Sequence, residues 1–401
     1  MTTATGVKKR LAYKKESAWG TLAGATGAKQ LRRVSGTFNL SKETYESGEQ
    51  RLDYQVADFR HGVRSATGSV NGELSAGTYS EFLGSVLARN FSTITPSATG
   101  SVTVAVAGSA YTFTRTTGSY LTDGVNIGHV VRFTGVNAAN SNVNLLVTSV
   151  TATVLTVVPV NGATLVAETV ATGAAYVFPG KETFIPQTGH TDDSYTFEEY
   201  FTDITQSEVY TGCKVSSFGI SVPASGFVTA DIGFSGKDLA QTGTTAYFTS
   251  PTALGTTGVL ASVNGLLVVN GTVKAVVTSI DLSVERSLEN NTVVGSNSLA
   301  DLVTGRIRVT GNMSTYFVDG TFRDYFKDET TVSLVLLVSS GTAGNADFVT
   351  ITLPKIKVNS AEKNDQETSL TSSHSFTALL NDSSANGNEL TTILVQDSQA
   401  V

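Results

Sequence analysis

The chain has one cysteine, Cys213, in 401 residues. It can form no intrachain disulfide and offers no pair of thiols to a metal, and it points to a protein made or kept in a reducing compartment. Four histidines, His61, His129, His190 and His374, lie far apart with neither HxH nor HExxH spacing. Charged residues make up only 15% and prolines number seven. No apolar run approaches the roughly 20 residues that a membrane-crossing helix needs. The densest, Gly265-Leu-Leu-Val-Val-Asn270, is one short strand. Lys8, Lys9 and Arg10 are not followed by the apolar stretch of a Sec-type leader, so a signal peptide is not expected.

What the chain does have is 40% hydrophobic residues, 38 glycines and long stretches of Thr, Ser, Val, Gly and Ala. That mixture favours short strands joined by polar turns and disfavours long helices. The length allows two or three domains. Charge is unevenly spread. Residues 1–33 carry Lys8, Lys9, Arg10, Lys14, Lys15, Lys29, Arg32 and Arg33 against Glu16 alone, a net of +7. The whole chain is −7, so the remainder carries −14 and repels nucleic acid rather than gathering it. The basic arm could touch DNA; lying on an acidic neighbouring surface is the preferred reading, with Tyr13 and Trp19 as its anchors.

The sequence contains itself twice. Phe38 and Leu40 fall on Ile280 and Leu282 at an offset of 242, and Val70, Gly72 and Leu74 on Val309, Gly311 and Met313 at 239. Glu81-Phe82-Leu83 falls on Asp324-Tyr325-Phe326 at 243. Val215, Phe218 and Ile220 match Leu353, Ile356 and Val358 at 138, so about 105 extra residues separate the two blocks in the first copy. Residues 97–180 supply most of them and have no counterpart.

Each copy opens with an alternating strand, followed by a polar stretch of some twenty residues, Ser41–Arg60 or Ser283–Leu302. Then comes a strand of strict period two. Ala66, Gly68, Val70, Gly72 and Leu74 face one way and Thr67, Ser69, Asn71 and Glu73 the other; Ile307, Val309, Gly311 and Met313 oppose Arg306, Arg308, Thr310 and Asn312. Such alternation marks a sheet with one buried and one wet face. A short helix follows, with Ser75 or Thr78 as cap and Glu81 in capping-box position. Tyr79, Phe82, Leu83 and Val86 form its packing stripe, repeated by Phe322, Tyr325 and Phe326. Two further strands close each copy, 214–222 and 227–235, then 350–358 and 368–378.

The expected organisation is a basic arm (1–30), a discontinuous first unit (31–96 and 181–240), an inserted all-β domain (97–180), a linker (241–272) and a second unit (273–401). Each unit is one short helix over a small sandwich or barrel. The twenty-residue stretches are too apolar for simple loops. Tyr45, Leu52, Tyr54, Val56 and Phe59 in the first, and Leu288, Val293 and Leu299 in the second, are read as arms that order against another copy, in preference to a hairpin folded back on its own domain.

Chemistry is scarce. There is no nucleophile elbow, and Gly233-Phe-Ser-Gly-Lys-Asp238 lacks phosphate-loop spacing. Asp192, Asp193, Glu198 and Glu199 could hold a cation, but a solvated face is preferred. His374 is read as a satisfied core histidine, and Cys213 as a small buried residue opening a strand. No enzyme, metal or cofactor is expected.

The repeat resembles the tail tube proteins of bacteriophages with long non-contractile tails, in a two-domain form. The likeness is carried by Ala12-Tyr-Lys-Lys-Glu-Ser-Ala-Trp-Gly20, Leu31-Arg-Arg-Val-Ser35, Tyr54-Gln-Val-Ala-Asp-Phe-Arg-His-Gly-Val-Arg64 and Ser69-Val-Asn-Gly-Glu-Leu-Ser75, with the connecting Val263–Gly271 segment. It implies sandwiches whose inner sheets join those of neighbours into a barrel. Two units per chain then imply trimeric, pseudo-hexameric rings stacked into a hollow virion tail, assembled in the bacterial cytoplasm, for DNA ejection. The implied partners are other copies, a tape measure protein in the lumen, terminator and distal tail proteins at the ends, and DNA passing without sequence-specific binding; no membrane is involved. Thr67, Ser69, Asn71, Glu73, Asp231, Arg306, Arg308, Thr310 and Asn312 become candidates for the lumen wall. The inner tube of a contractile machine is an alternative within the same fold, and a secreted β-rich adhesin is one from another class.

Overall fold

The computed structural model describes residues 3–95, 97–274, 276–365, 367–384 and 387–401. It is mainly β with two short α-helices. In chain order the first half runs β1 (Lys9–Lys15), β2 (Lys29–Gln30), β3 (Ser35–Glu46), β4 (Phe59–Glu73) and α1 (Ser80–Val86). Six strands follow: β5 (Ser97–Ala107), β6 (Ala110–Arg115), β7 (Val130–Thr134), β8 (Leu145–Val150), β9 (Val154–Pro159) and β10 (Glu168–Val177). Then come β11 (Lys181–Phe184), β12 (Tyr195–Phe201), β13 (Gln206–Val222), β14 (Thr229–Gly236) and β15 (Asp238–Gly243). The second half has β16 (Ala261–Val269), β17 (Thr272–Val273), β18 (Val277–Asn291), β19 (Asp301–Tyr316), α2 (Thr321–Lys327) and β20 (Val332–Ser339). It ends with β21 (Phe348–Val358), β22 (Glu362–Lys363), β23 (Thr371–Ala378) and β24 (Leu394–Asp397).

Strand pairing repeats between the halves. In the first, β1 pairs β12, β12 pairs β13, β13 pairs β14, β14 pairs β4 and β4 pairs β3. In the second, β16 pairs β20, β20 pairs β21, β21 pairs β23, β23 pairs β19 and β19 pairs β18. All these pairings are antiparallel. In each unit a long strand, β13 or β21, crosses between an inner sheet and an outer sheet, and the core lies between them.

Several expectations shift. The stretches Ser41–Arg60 and Ser283–Leu302 begin and end as continuations of β3–β4 and β18–β19, leaving tips at 47–58 and 292–300. The segment expected to be a linker supplies β16 to the second unit, and β11 pairs with β24 of that unit. Val70 pairs with Gly36, whereas its counterpart Val309 pairs with Val284. Gly36 therefore corresponds to Val284, six residues beyond the position that sequence superposition gives. An even slip leaves the same side chains inward, so alternation cannot register it. The capping box is absent. Tyr79 holds the N-cap position of α1 without a side-chain cap bond, Ser75 and Thr78 bond each other through their hydroxyls (2.5 Å), and Glu81 pairs with Lys29.

One continuous core joins the two units. Its first half is aromatic: Phe38 stacks on Phe197 (4.4 Å between ring centres) and Phe82 lies 4.8 Å from Tyr13. Tyr79, Phe82, Leu83 and Val86 are all buried. In α2 only Phe322 is buried, stacked on His374 at 4.8 Å; Tyr325 is half-buried and Phe326 is exposed, so Phe326 does not pack the helix down.

Strands β5–β10 form a closed barrel with its own core around Phe113, Phe133 and Tyr176. It is not loosely tethered. Val130, Leu146 and Val160 pack on Val268, Val335, Leu337 and Phe348 of the second unit. Gln396 of β24, fully buried, accepts from the Val130 N–H (2.8 Å) and donates to the carbonyls of Val130 (3.1 Å) and Pro179 (2.9 Å). Gln396→Leu strands those three groups and should cost about 2–4 kcal/mol. Denaturant unfolding checks this, and a midpoint equal to the parent's would show that the clamp contributes nothing.

Asp397, at the end of β24, ties the C-terminal segment to the loop before α1. Its carboxylate accepts from the Gly77 N–H (2.8 and 3.0 Å) and the Gln399 N–H (2.9 Å). Burial, opposed by these bonds, pushes its pKa up to about 6. A folded-state pKa raised above the unfolded value means that the contribution is full at acid pH and is lost as pH rises through about 4 to 6. The penalty on the ionised form is about 3 kcal/mol at neutral pH. Asp397→Asn should flatten the stability slope across that window and raise Tm at pH 7.5. A slope unchanged in the variant would refute the assignment.

Candidate functional site

The feature with the greatest consequence is the joint between the units. Residues Ser217–Val222 of β13 pair antiparallel with Ile280–Glu285 of β18, fusing the two inner sheets. Phe218, Ile220 and Val222 are buried with Ile280, Leu282 and Val284. Leu260 seals the junction, donating its N–H to the Leu74 carbonyl (2.8 Å) and accepting from the Val228 N–H (3.0 Å). The fused sheet runs β3, β4, β14, β13, β18, β19, β23, β21. Its two outer strands, β3 and the C-terminal half of β21, are the counterparts of the pair that meets in the middle.

The edge of β3 is prepared differently along its length. Near its start, Glu199 accepts the Phe38 N–H (3.1 Å) and a bond from Lys9 Nζ (2.7 Å). Lys9 also donates to the Gly36 carbonyl (2.6 Å), and the Tyr210 hydroxyl donates to the Phe38 carbonyl (3.0 Å). Burial raises the Glu199 pKa, with Lys9 opposing. Beyond Phe38 these props stop, and Asn39–Glu46 are exposed apart from half-buried Leu40. An open, regular edge of this kind is a template for another strand.

One face of the fused sheet is polar. A continuous pairing row crosses it through Ser35, Asn71, Asp231, Gly219, Ser283, Thr310, Thr377 and Lys357. Thr67, Ser69, Asp231, Arg306, Arg308 and Asn312 are exposed, while Asn71, Glu73 and Thr310 are half-buried. Charge on this face is mixed, since Asp281 and Glu285 share it with Arg306 and Arg308.

The hairpin tips are the most exposed apolar regions of the molecule. Leu52 and Tyr54 are fully exposed, and Tyr45, Val56 and Phe59 are more than half exposed. At the second tip Val293 and Val294 are exposed, Leu288 is half-buried and Leu299 is buried at the base, outside the exposed set.

The basic arm lies on its own chain. Strand β1 pairs β12, with Lys9 on Glu199 (2.7 Å), Arg10 on Glu198 (3.2 Å) and Lys15 on Asp193 (2.6 Å). Asp192 joins Lys214 (2.6 Å) and Arg286 (3.2 Å). Glu198 and Glu199 are buried, so they are not a solvated face; with Asp193 they are the counterpart of the arm, whereas exposed Asp192 pairs with the body of the chain. Glu16, the arm's one acid, is buried and accepts from Ser194, Thr196 and the N–H groups of Gly20 and Gly212 (2.7–2.9 Å). Sequence reading missed these pairs, although the opposite charges of residues 1–33 and 192–199 were the available signal.

Tyr13 is buried, and Trp19 donates to the Gly212 carbonyl (3.0 Å). Cys213 lies inside β13, fully buried, with its pKa raised by desolvation. His374 is buried. Its Nε2 lies 3.2 Å from the Thr315 hydroxyl, and burial lowers its pKa, opposed by a hydrogen bond with the Ser360 backbone. Among the described residues no cluster of three or more His, Cys, Asp or Glu is arranged to hold a metal, and no helix is long and apolar enough to cross a membrane.

A family model described as phage tail tube protein matches residues 6–378. No curated protein matches the chain.

Proposed function

This chain belongs to the phage tail tube family, and we propose that three copies of it close into one ring of a hollow tail. The observation that carries this reading is the β13–β18 ladder. One chain already contains two copies of the same unit joined edge to edge, and it leaves β3 unpaired on its outer side beyond Phe38 and β21 unpaired there beyond Ile356, where its pairing with β20 ends. A repeated heterologous contact closes into a ring when its rotation permits. Three chains give six units, and closure removes both edges.

In such a ring the polar face becomes the wall of the lumen, with Thr67, Ser69, Asn71, Glu73, Asp231, Arg306, Arg308, Thr310 and Asn312 on it. Hydroxyl, amide and opposed charged groups offer DNA neither a continuous cationic track nor a base-reading surface, so a genome slides rather than binds. The exposed tips Tyr45–Phe59 and Val293–Val294 reach the next ring. The same lumen would hold the tape measure protein before ejection, with terminator and distal tail proteins at the two ends. Assembly would take place in the host cytoplasm and the product would be part of the virion.

Microscopy of the purified protein, with native mass spectrometry of single rings, tests the reading. Hollow rods or rings of three chains are the expected result. A stable ring with any other chain count, or none at any concentration, would refute it.

A further inference from the structure

The internal joint has a second part besides its ladder. The turn from β13 to β14 sits on the beginning of β16: Ser262 donates through both N–H and hydroxyl to the Gly226 carbonyl (3.0 Å each), and Phe227 pairs with Ala261. The first unit has the same platform, built from β1 and the approach to β3. There it is bare. A groove of about 590 Å³ runs between them, lined by Val7, Lys8, Arg10, Leu11, Arg33 and Val34 among others. Val7 is 92% exposed and Val34 65% exposed.

We propose that this groove receives residues 359–365, the chain leaving β21, of a second copy. The proposal rests on the ring reading and deepens it by naming the contact that locks neighbouring chains. Two observations carry it. Topology is the first. β21 corresponds to β13 and β1 to β16, so the connection after β21 occupies in its unit the place of the turn seated in the internal joint. A neighbour whose β21 lies along β3 brings that connection onto the groove.

Charge is the second. Lys9 and Arg10 are neutralised by Glu199 and Glu198, but neither Lys8 nor Arg33 has an ion-pair partner among the described residues. On the other side Glu362 and Asp365 are exposed, and neither forms an ion pair among the described residues. Opposite charges left unpaired at matching places in the two units complement each other across the contact, fixing register and suppressing wrong partners. The internal joint has no need of this device, because its two halves are covalently linked.

Lys8→Glu and Glu362→Lys each place like charges in the contact. Each should lower the fraction of protein in rings at least five-fold by sedimentation velocity, and the double reversal should restore it to within two-fold of the parent. A second pair, Val34→Cys with Glu362→Cys, should give interchain disulfides on mild oxidation, seen as linked species on a non-reducing gel. Cys213 does not compete, being buried. Parent rings with single reversals that assemble normally and a cysteine pair that never links would overturn the groove contact and leave the ring reading standing. Failure of the parent to form rings would sink both.

Discussion

A chain carrying Leu40→Pro should fold, and should remain a monomer. The argument starts from which way the amide points. Thr37, Asn39 and Ser41 alternate with Phe38 and Leu40 along β3, and the Phe38 N–H points away from β4, to Glu199. By the period of a strand the Leu40 N–H points the same way, towards the open edge. Proline there deletes a donor that the isolated chain does not use and places its ring on the outer side of β3, which is unpaired beyond Phe38. Leu40 is half-buried, so the loss of packing within the chain is about 1 kcal/mol. Assembly should suffer far more, because in the proposed ring the damaged joint would recur at every chain-to-chain contact. Sedimentation velocity should show a single monomer boundary at concentrations where the parent is assembled, with a melting curve within a few degrees of it. Rings from the variant would mean that β3 is not the joining edge.

The duplication was legible because it rests on side-chain character at fixed spacing, which both copies keep: Val70, Gly72 and Leu74 against Val309, Gly311 and Met313. The burial of Tyr79, Phe82, Leu83 and Val86 followed from helical period alone. The pairing register did not, because a period of two is blind to an even slip. Only the pairing of Val70 with Gly36 and of Val309 with Val284 reveals it. The match of the arm to Glu198 and Glu199 was hidden for another reason. Opposite charge pointed the arm to an acidic surface, and only the tertiary pairing of β1 with β12 says that Glu198 and Glu199 supply it. The docking of the inserted barrel was equally out of reach. Val268, Val335 and Leu337 read as ordinary core strand residues, and nothing in their pattern says that they face a second domain.

Stacking should depend on the first hairpin tip more than on any other exposed part. Replacing residues 47–58 by Asn-Gly would join Glu46 to Phe59, which already pair, through a two-residue turn suited to strand twist. The shortened hairpin keeps every pairing of β3 with β4, so the unit should fold and close its ring. It loses Leu52 and Tyr54, which make no use of their apolar surface within the chain. Burying such side chains against a neighbour is worth about 1.5–3 kcal/mol each. In the proposed trimeric ring three such arms would act together at each ring-to-ring contact, so their removal should abolish long tubes by electron microscopy while single rings persist. The second tip offers Val293 and Val294 but keeps Leu299 buried, so its removal should shorten tubes rather than abolish them. Full-length tubes from the chain lacking 47–58 would show that rings stack through their rims alone, and the exposed apolar tip would then need another partner.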